Sequence, residues 1–284
     1  MSIFAARHAL IIGAGQNIGR RVAQEFARRG ARVSVADISH EGAEATAALI
    51  REAGGEAVGL ACNVTDDASV LACIDAAEAA LGPIDIHMNN AGILSGGNPE
   101  DIPMAEWQRM FDVNLFGMVR ANNIIVPRML ARGSGHIVNT ASFAGFYPFA
   151  ASRVHYAACK AAVRSMSENL ALYLMPLGVK VTCLLPGPVM TTSPDAMKHF
   201  TESYTMRAPG SHLFVMSQQE TARVLADGME AGRILIPTHE EGWDSFREYA
   251  ANPDAWIAKK NAEYLAGDPG KPGITQDVID SIRE

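Results

Sequence analysis

The stretch HALIIGAGQNIG, residues 8–19, constrains the fold more than any other part of the chain. A short apolar run meets a glycine-rich turn. The turn opens into a helical pattern in which Ile18, Val22 and Phe26 recur every four residues and Gly30 marks the end. Gly13, Gly15 and Gly19 stand where a backbone must turn sharply or lie close to a pyrophosphate at the positive end of a helix. An alternating strand follows over 31–37 and closes on Asp37, whose carboxylate is placed to accept hydrogen bonds from ribose hydroxyls. Strand, glycines, helix, strand and acid together point to dinucleotide binding, against the plainer reading of a structural turn.

The same alternation continues. A small-residue helix is expected over 41–53, a strand over 56–64, a helix capped by Asp66 or Asp67 and ending near Leu81, and a strand over 84–90. Further strands are expected over 135–142, 179–187 and 233–238, with a helix over 218–232. Such a pattern calls for a doubly wound parallel sheet with helices on both faces. No repeat or linker interrupts it, so residues 1–284 are expected to form one domain, with a substrate lid at about 192–217 and an extension at about 239–284.

With 48% hydrophobic and 19% charged residues the composition is that of an ordinary soluble globule, and the net charge of −7 argues against a nucleic-acid partner. The four cysteines are widely spaced, which suggests reduced, buried thiols and no metal site. No apolar run approaches the ~20 residues that span a bilayer. A cytoplasmic protein without a membrane partner is expected.

The chemistry is concentrated between Ser142 and Lys160. In YAACK, Tyr156 and Lys160 fall one helical turn apart on one face. A cation beside a phenol favours the phenolate. A tyrosine so tuned can exchange a proton with an alcohol or ketone oxygen while a serine hydroxyl bonds the same oxygen. His155 faces another direction and is expected at the surface or pocket rim.

With GAGQNIG at 13–19, NNAG at 89–92, Asn114 in DVNLFG, Ser142, YAACK at 156–160 and PGPVMT at 186–191 in order, the chain resembles the short-chain dehydrogenase/reductase family from residue 8 to about 238. The resemblance implies an NAD(P)-dependent oxidoreductase with a seven-stranded parallel sheet, assembled as a homotetramer. It also implies that Asn114 holds a relay water for Lys160, and that Lys160 bonds the nicotinamide ribose. Pro186-Gly187 would then turn beneath the nicotinamide, with Val189 following, and Thr191 would bond its carboxamide. The cofactor set comprises Gly13, Gly15, Gln16, Asn17, Ile18, Gly19, Asp37, Ile38, Asn63, Val64, Asn90, Ala91 and Gly92 with Tyr156 and Lys160. Asp37 favours NAD over NADP, because a carboxylate repels a 2′-phosphate. The chain departs from the family pattern at Ile12 and Asn17 in the glycine loop and at Asn63, where an aspartate is common. Asparagine tolerates left-handed backbone angles, and Asn63 keeps an acceptor for the adenine amino group.

Leu94, Phe143, Phe146, Tyr147, Phe149 and Met190 are expected to line the substrate cleft, about half of such apolar residues being core instead. Arg153 and Arg207 are expected at the surface. The substrate is therefore read as an apolar secondary alcohol or ketone, uncharged near the reacting centre. Rival readings are an NADPH-dependent 3-oxoacyl thioester reductase, a sugar-nucleotide epimerase or dehydratase, and a non-catalytic cofactor-sensing protein. The extension carries Trp243, Phe246, Tyr249, Trp256, Ile257, Tyr264 and Leu265, which must cover something. Part of it, around Trp243 to Trp256, is expected to close over a substrate cleft, the chain's own or a neighbour's. The alternative is a cap over the chain's own hydrophobic surface.

Overall fold

The computed structural model describes residues 2–189, 191, 197–202, 204 and 213–266. Seven strands make one parallel sheet in the order β3-β2-β1-β4-β6-β7-β9. These are β1 (His8–Ile12), β2 (Arg32–Asp37), β3 (Ala57–Ala61), β4 (Ile86–Asn89), β6 (Gly135–Thr140), β7 (Val179–Leu185) and β9 (Leu235–Pro237). A two-residue pair, β5 (Ser95–Gly96) with β8 (Lys198–His199), lies apart. The seven-stranded parallel sheet is the one expected.

Every residue of β1 is buried. Ala9 and Ile11 enter one core and Leu10 and Ile12 the other, as a strand covered on both faces requires. The first core lies under α1 (Asn17–Arg28), α2 (His40–Glu52) and α7 (Gln218–Glu230), with Val22, Phe26, Ile50 and Leu225 inside it. The second lies under α3 (Asp67–Leu81), α5 (Gly117–Arg132) and α6 (Val154–Leu174), around Ile74, Ile125, Ile137 and Leu174. Ser39 caps α2 through Gly42 N–H, and Asp66 caps α3 through Ala68 and Ser69 N–H. Between α4 (Met104–Phe111) and α5 the chain makes a wide π-helical turn over Asp112–Phe116. All four cysteines are free and buried. Among the described residues no helix is long and apolar enough to cross a membrane.

The extension forms α8 (Gly242–Ala251) and α9 (Pro253–Leu265), the latter capped by Asn252, which accepts from Ala255 N–H. These helices complete a third, aromatic core. Phe146 stacks on Phe246 at 4.6 Å and meets the edge of Trp243 at 5.1 Å, and Tyr147 meets Trp256 at 5.6 Å. The Trp256 indole N–H donates to Pro148 O at 2.9 Å. The extension thus caps the chain's own segment 143–149, and none of its described residues lines the main cleft. For the chain's own cleft, the expectation that the extension closes over it is corrected. The aromatic rings after Ser142 needed cover, and α8 and α9 supply it.

Candidate active site

A cleft of about 1070 Å³ opens along the carboxyl ends of the central strands, the edge at which ligands enter sheets of this winding. One end is built by the glycine loop. Gly13 has a φ of 88°, and a Cβ there would run into the Ala91 backbone, so only glycine lets β1 and β4 release their loops side by side. Asn90 locks this arrangement, donating to Gly13 O at 2.8 Å and accepting from the Thr140 hydroxyl. Gly15 N–H donates to Asp37 Oδ2 at 2.9 Å and Ser39 N–H to Oδ1 at 3.1 Å, which fixes the carboxylate at the end of β2. Asn17 takes a φ of 52°, the left-handed conformation that asparagine tolerates.

Helix α1 begins here with no side chain capping it. Its first-turn N–H groups, from Gln16, Asn17 and Ile18 onward, therefore face the cleft ready for an anion. A dinucleotide would fit this donor set, which the Asp37 carboxylate and Ile38 border. Asn63 and Val64 line the same end, but the Asn63 carbonyl already accepts from Thr65 N–H and Thr65 hydroxyl. The carbonyl expected to meet the adenine is thus engaged in a local turn. Gly15 and Gly19 shape the loop without lining the cleft.

The other end holds the reactive groups. Ser142 follows β6 and lines the cleft, its hydroxyl accepting from Ala144 N–H at 3.1 Å. The loop after it presses on α6 through Gly145, where a Cβ would enter the Lys160–Ala161 backbone. Tyr156 and Lys160 line the same cleft as Ser142 from α6. Lys160 is only 3% exposed, and its ammonium donates to Thr140 O at 2.8 Å and lies 5.7 Å from the Tyr156 ring centroid. Asn114 sits in the π-helical turn between α4 and α5. It clamps Ile93, accepting from its N–H at 2.7 Å and donating to its carbonyl at 2.9 Å. A Cβ on Gly92 would lie 3.2 Å from Asn114 Oδ1 and 3.8 Å from Lys160 Nζ, so the two groups meet across that glycine.

Ala91, Gly92, Pro186, Gly187, Val189 and Thr191 also line the cleft, as do Leu94 and Phe143. Phe146 and Tyr147 are core residues, and Phe149 lines a separate groove. Met190, Arg207 and most of the expected lid fall outside the described residues. Two expectations are corrected. His155 is fully buried, bonded through Nε2 to the Ser95 hydroxyl at 2.8 Å, which in turn donates to Glu106. Burial pushes its pKa down. Arg153, expected at the surface, is half-buried and lines the cleft. Arg109 and Lys198 were not foreseen, since the small β5–β8 pair that brings residue 198 to the site has no sequence signature.

These elements define an α/β protein with a nucleotide crevice and a Ser, Tyr and Lys at its inner end. Residues 7–201 match the short chain dehydrogenase family model, and the chain belongs to that family of nicotinamide-dependent oxidoreductases. It is similar to a 2,5-dichloro-2,5-cyclohexadiene-1,4-diol dehydrogenase of Sphingobium indicum, 35% identical over 71% of this chain and 82% of that protein. It is also similar to a 7alpha-hydroxysteroid dehydrogenase of Escherichia coli, 34% identical over 67% of this chain and 72% of that protein. A short chain dehydrogenase/reductase of Burkholderia phymatum, solved in complex with NAD, superposes with a TM-score of 0.78 at 28% identity over 90% of this chain and 96% of that one.

Proposed function

We propose that the protein interconverts a secondary alcohol of apolar body and its ketone, using NAD(H). The observation that carries this reading is the convergence of Ser142, Tyr156 and Lys160 in the cleft that the uncapped α1 and Asp37 also share. Nicotinamide, when bound, accepts or returns the hydride. The chain manages the oxygen and its proton. In oxidation the Tyr156 phenolate takes the hydroxyl proton while the Ser142 hydroxyl donates to the same oxygen and holds the carbon in place. The Lys160 side chain stands beside the phenol, and Asn114, which meets it across Gly92, would hold a water through which that proton reaches solvent. Phe143 and Leu94 exclude bulk water from the inner end. The names of the relatives describe ring-borne alcohols, so cyclic secondary alcohols are the first substrates to screen by NADH absorbance.

Tyr156→Phe removes only the proton-transfer group. Turnover is expected to fall by ~10²-fold or more with NADH affinity retained. A variant keeping over about a tenth of the wild-type rate would move the chemistry elsewhere. Asp37 is the basis for preferring NAD, since it sits where a 2′-phosphate would meet a carboxylate. A higher kcat/KM with NADP than with NAD would overturn that assignment.

A further inference from the structure

Among the described residues four cations line the cleft, and three have fixed partners. Arg109 makes two hydrogen bonds to Glu106, at 2.6 and 2.9 Å. Lys198 lies 3.7 Å from the same carboxylate and over the Phe200 ring. Lys160 donates to Thr140 O. Arg153 is the exception. It forms no ion pair among the described residues, and its Nε is buried without a hydrogen-bond partner. Burial pushes its pKa down from the usual value, and it lines the same cleft as Tyr156. A half-buried cation with an idle donor bears a desolvation cost that an anion would offset.

The cofactor's phosphates do not supply that anion. The pyrophosphate site belongs to the glycine loop after β1, two strands away from β6 in the sheet order, roughly 10 Å at ordinary strand spacing. Arg153 sits immediately before α6, with the substrate end of the cleft. One planar guanidinium neutralises one charge and matches the two oxygens of a carboxylate.

We infer that Arg153 is a specificity-determining residue that binds a carboxylate on the substrate, so that the substrate is an apolar hydroxy acid or oxo acid with its carboxylate close to the reacting carbon. This rests on the dehydrogenase reading above and replaces the expectation of a substrate uncharged near its reacting centre.

The test is a pair of probes of one shape, cyclohexanecarboxylate and cyclohexanecarboxamide, titrated calorimetrically into the NADH-loaded protein. The wild type is expected to bind the acid ~10-fold or more tightly than the amide, the size of a hydrogen bond to a charged group. Arg153→Gln is expected to bring that ratio near one while NADH affinity stays unchanged. Equal binding of acid and amide by the wild type overturns the inference, and so does a preference that survives Arg153→Gln. If Arg153→Gln does not fold, Arg153→Met, which keeps the aliphatic stem, faces the same two outcomes. Neither ratio depends on turnover. An enzyme inert toward every alcohol but selective for the acid would sink the dehydrogenase reading alone.

Discussion

The nucleotide end of the cleft and the aromatic cap behind Ser142 are held together by different physics. At the nucleotide end, polar side chains and backbone groups fix each other at short range. Asn90 ties Gly13 to Thr140, Asp37 holds the Gly15 N–H, and beneath them Asn89 bridges Asn122 and Asn139 at 3.0 and 2.9 Å. The cap has scarcely a polar contact. Its order comes chiefly from rings packed between segments more than ninety residues apart in sequence, with the Trp256 bond to Pro148 O as one anchor. Directional bonds place atoms for chemistry, whereas ring packing supplies stability to the loop that carries Ser142. The two regions should therefore fail differently.

The largest effect is expected in the cap. Trp256 is 3% exposed and packs on Tyr147 and Tyr249. Trp256→Ala should cost about 3–5 kcal/mol of stability by leaving a cavity, read as a lower denaturant midpoint. KM for substrate should change little at temperatures where the variant is folded, because no described residue of the extension lines the main cleft. A sharp rise in KM without loss of stability would return the extension to the role of a lid.

The contrast also explains what the sequence made readable. Gly13, Asp37, Ser142, Tyr156 and Lys160 were each legible because the geometry they need is local: a turn, a strand end, one helical turn. The parallel sheet with helices on both faces followed from alternation, since strands joined by crossover helices have few other solutions. The direction of the extension was not legible. Seven apolar side chains state that something must be covered, but Trp243 or Phe246 carries no mark of which rings it will meet. Arg153 and His155 were misplaced for the same reason. Their burial is decided by β5, the segment around Ser95 and residues near 204, all distant in sequence.

Acid should act on the polar region first. His87, fully buried and bonded to Asn89, has its pKa pushed down to about 4 by desolvation, and His136 is held at about 3. Both are neutral when folded but take a proton near ~6.5 when unfolded. The unfolded chain thus binds more protons below that value, so stability is full above ~6.5 and is lost as pH falls toward 4. For His87 alone the loss approaches roughly 3 kcal/mol at the acid end. The Tm should fall between pH 7 and pH 5, and less so in His87→Gln. Identical acid dependence in the two proteins would place the sensitivity elsewhere.

The smallest expected effect probes the glycine loop itself. Asn17 stands at a φ of 52°, with its side-chain oxygen 3.4 Å from Gln218 Nε2, a long and weak bond. If the residue is retained for its tolerance of that backbone angle, glycine should replace it at nearly no cost, while alanine pays the clash of its Cβ with the carbonyl, ~1–2 kcal/mol. Asn17→Gly should then match the wild type in Tm and in NADH affinity. Asn17→Ala should be destabilised and bind NADH more weakly, because the loop that aims the first N–H groups of α1 would relax. If instead both substitutions weaken NADH binding equally without changing Tm, the Asn17 carboxamide itself contacts the phosphates. The backbone would then not be its reason for being there. The loop would in that case rely on a side-chain donor at a position where the family's pattern has a glycine.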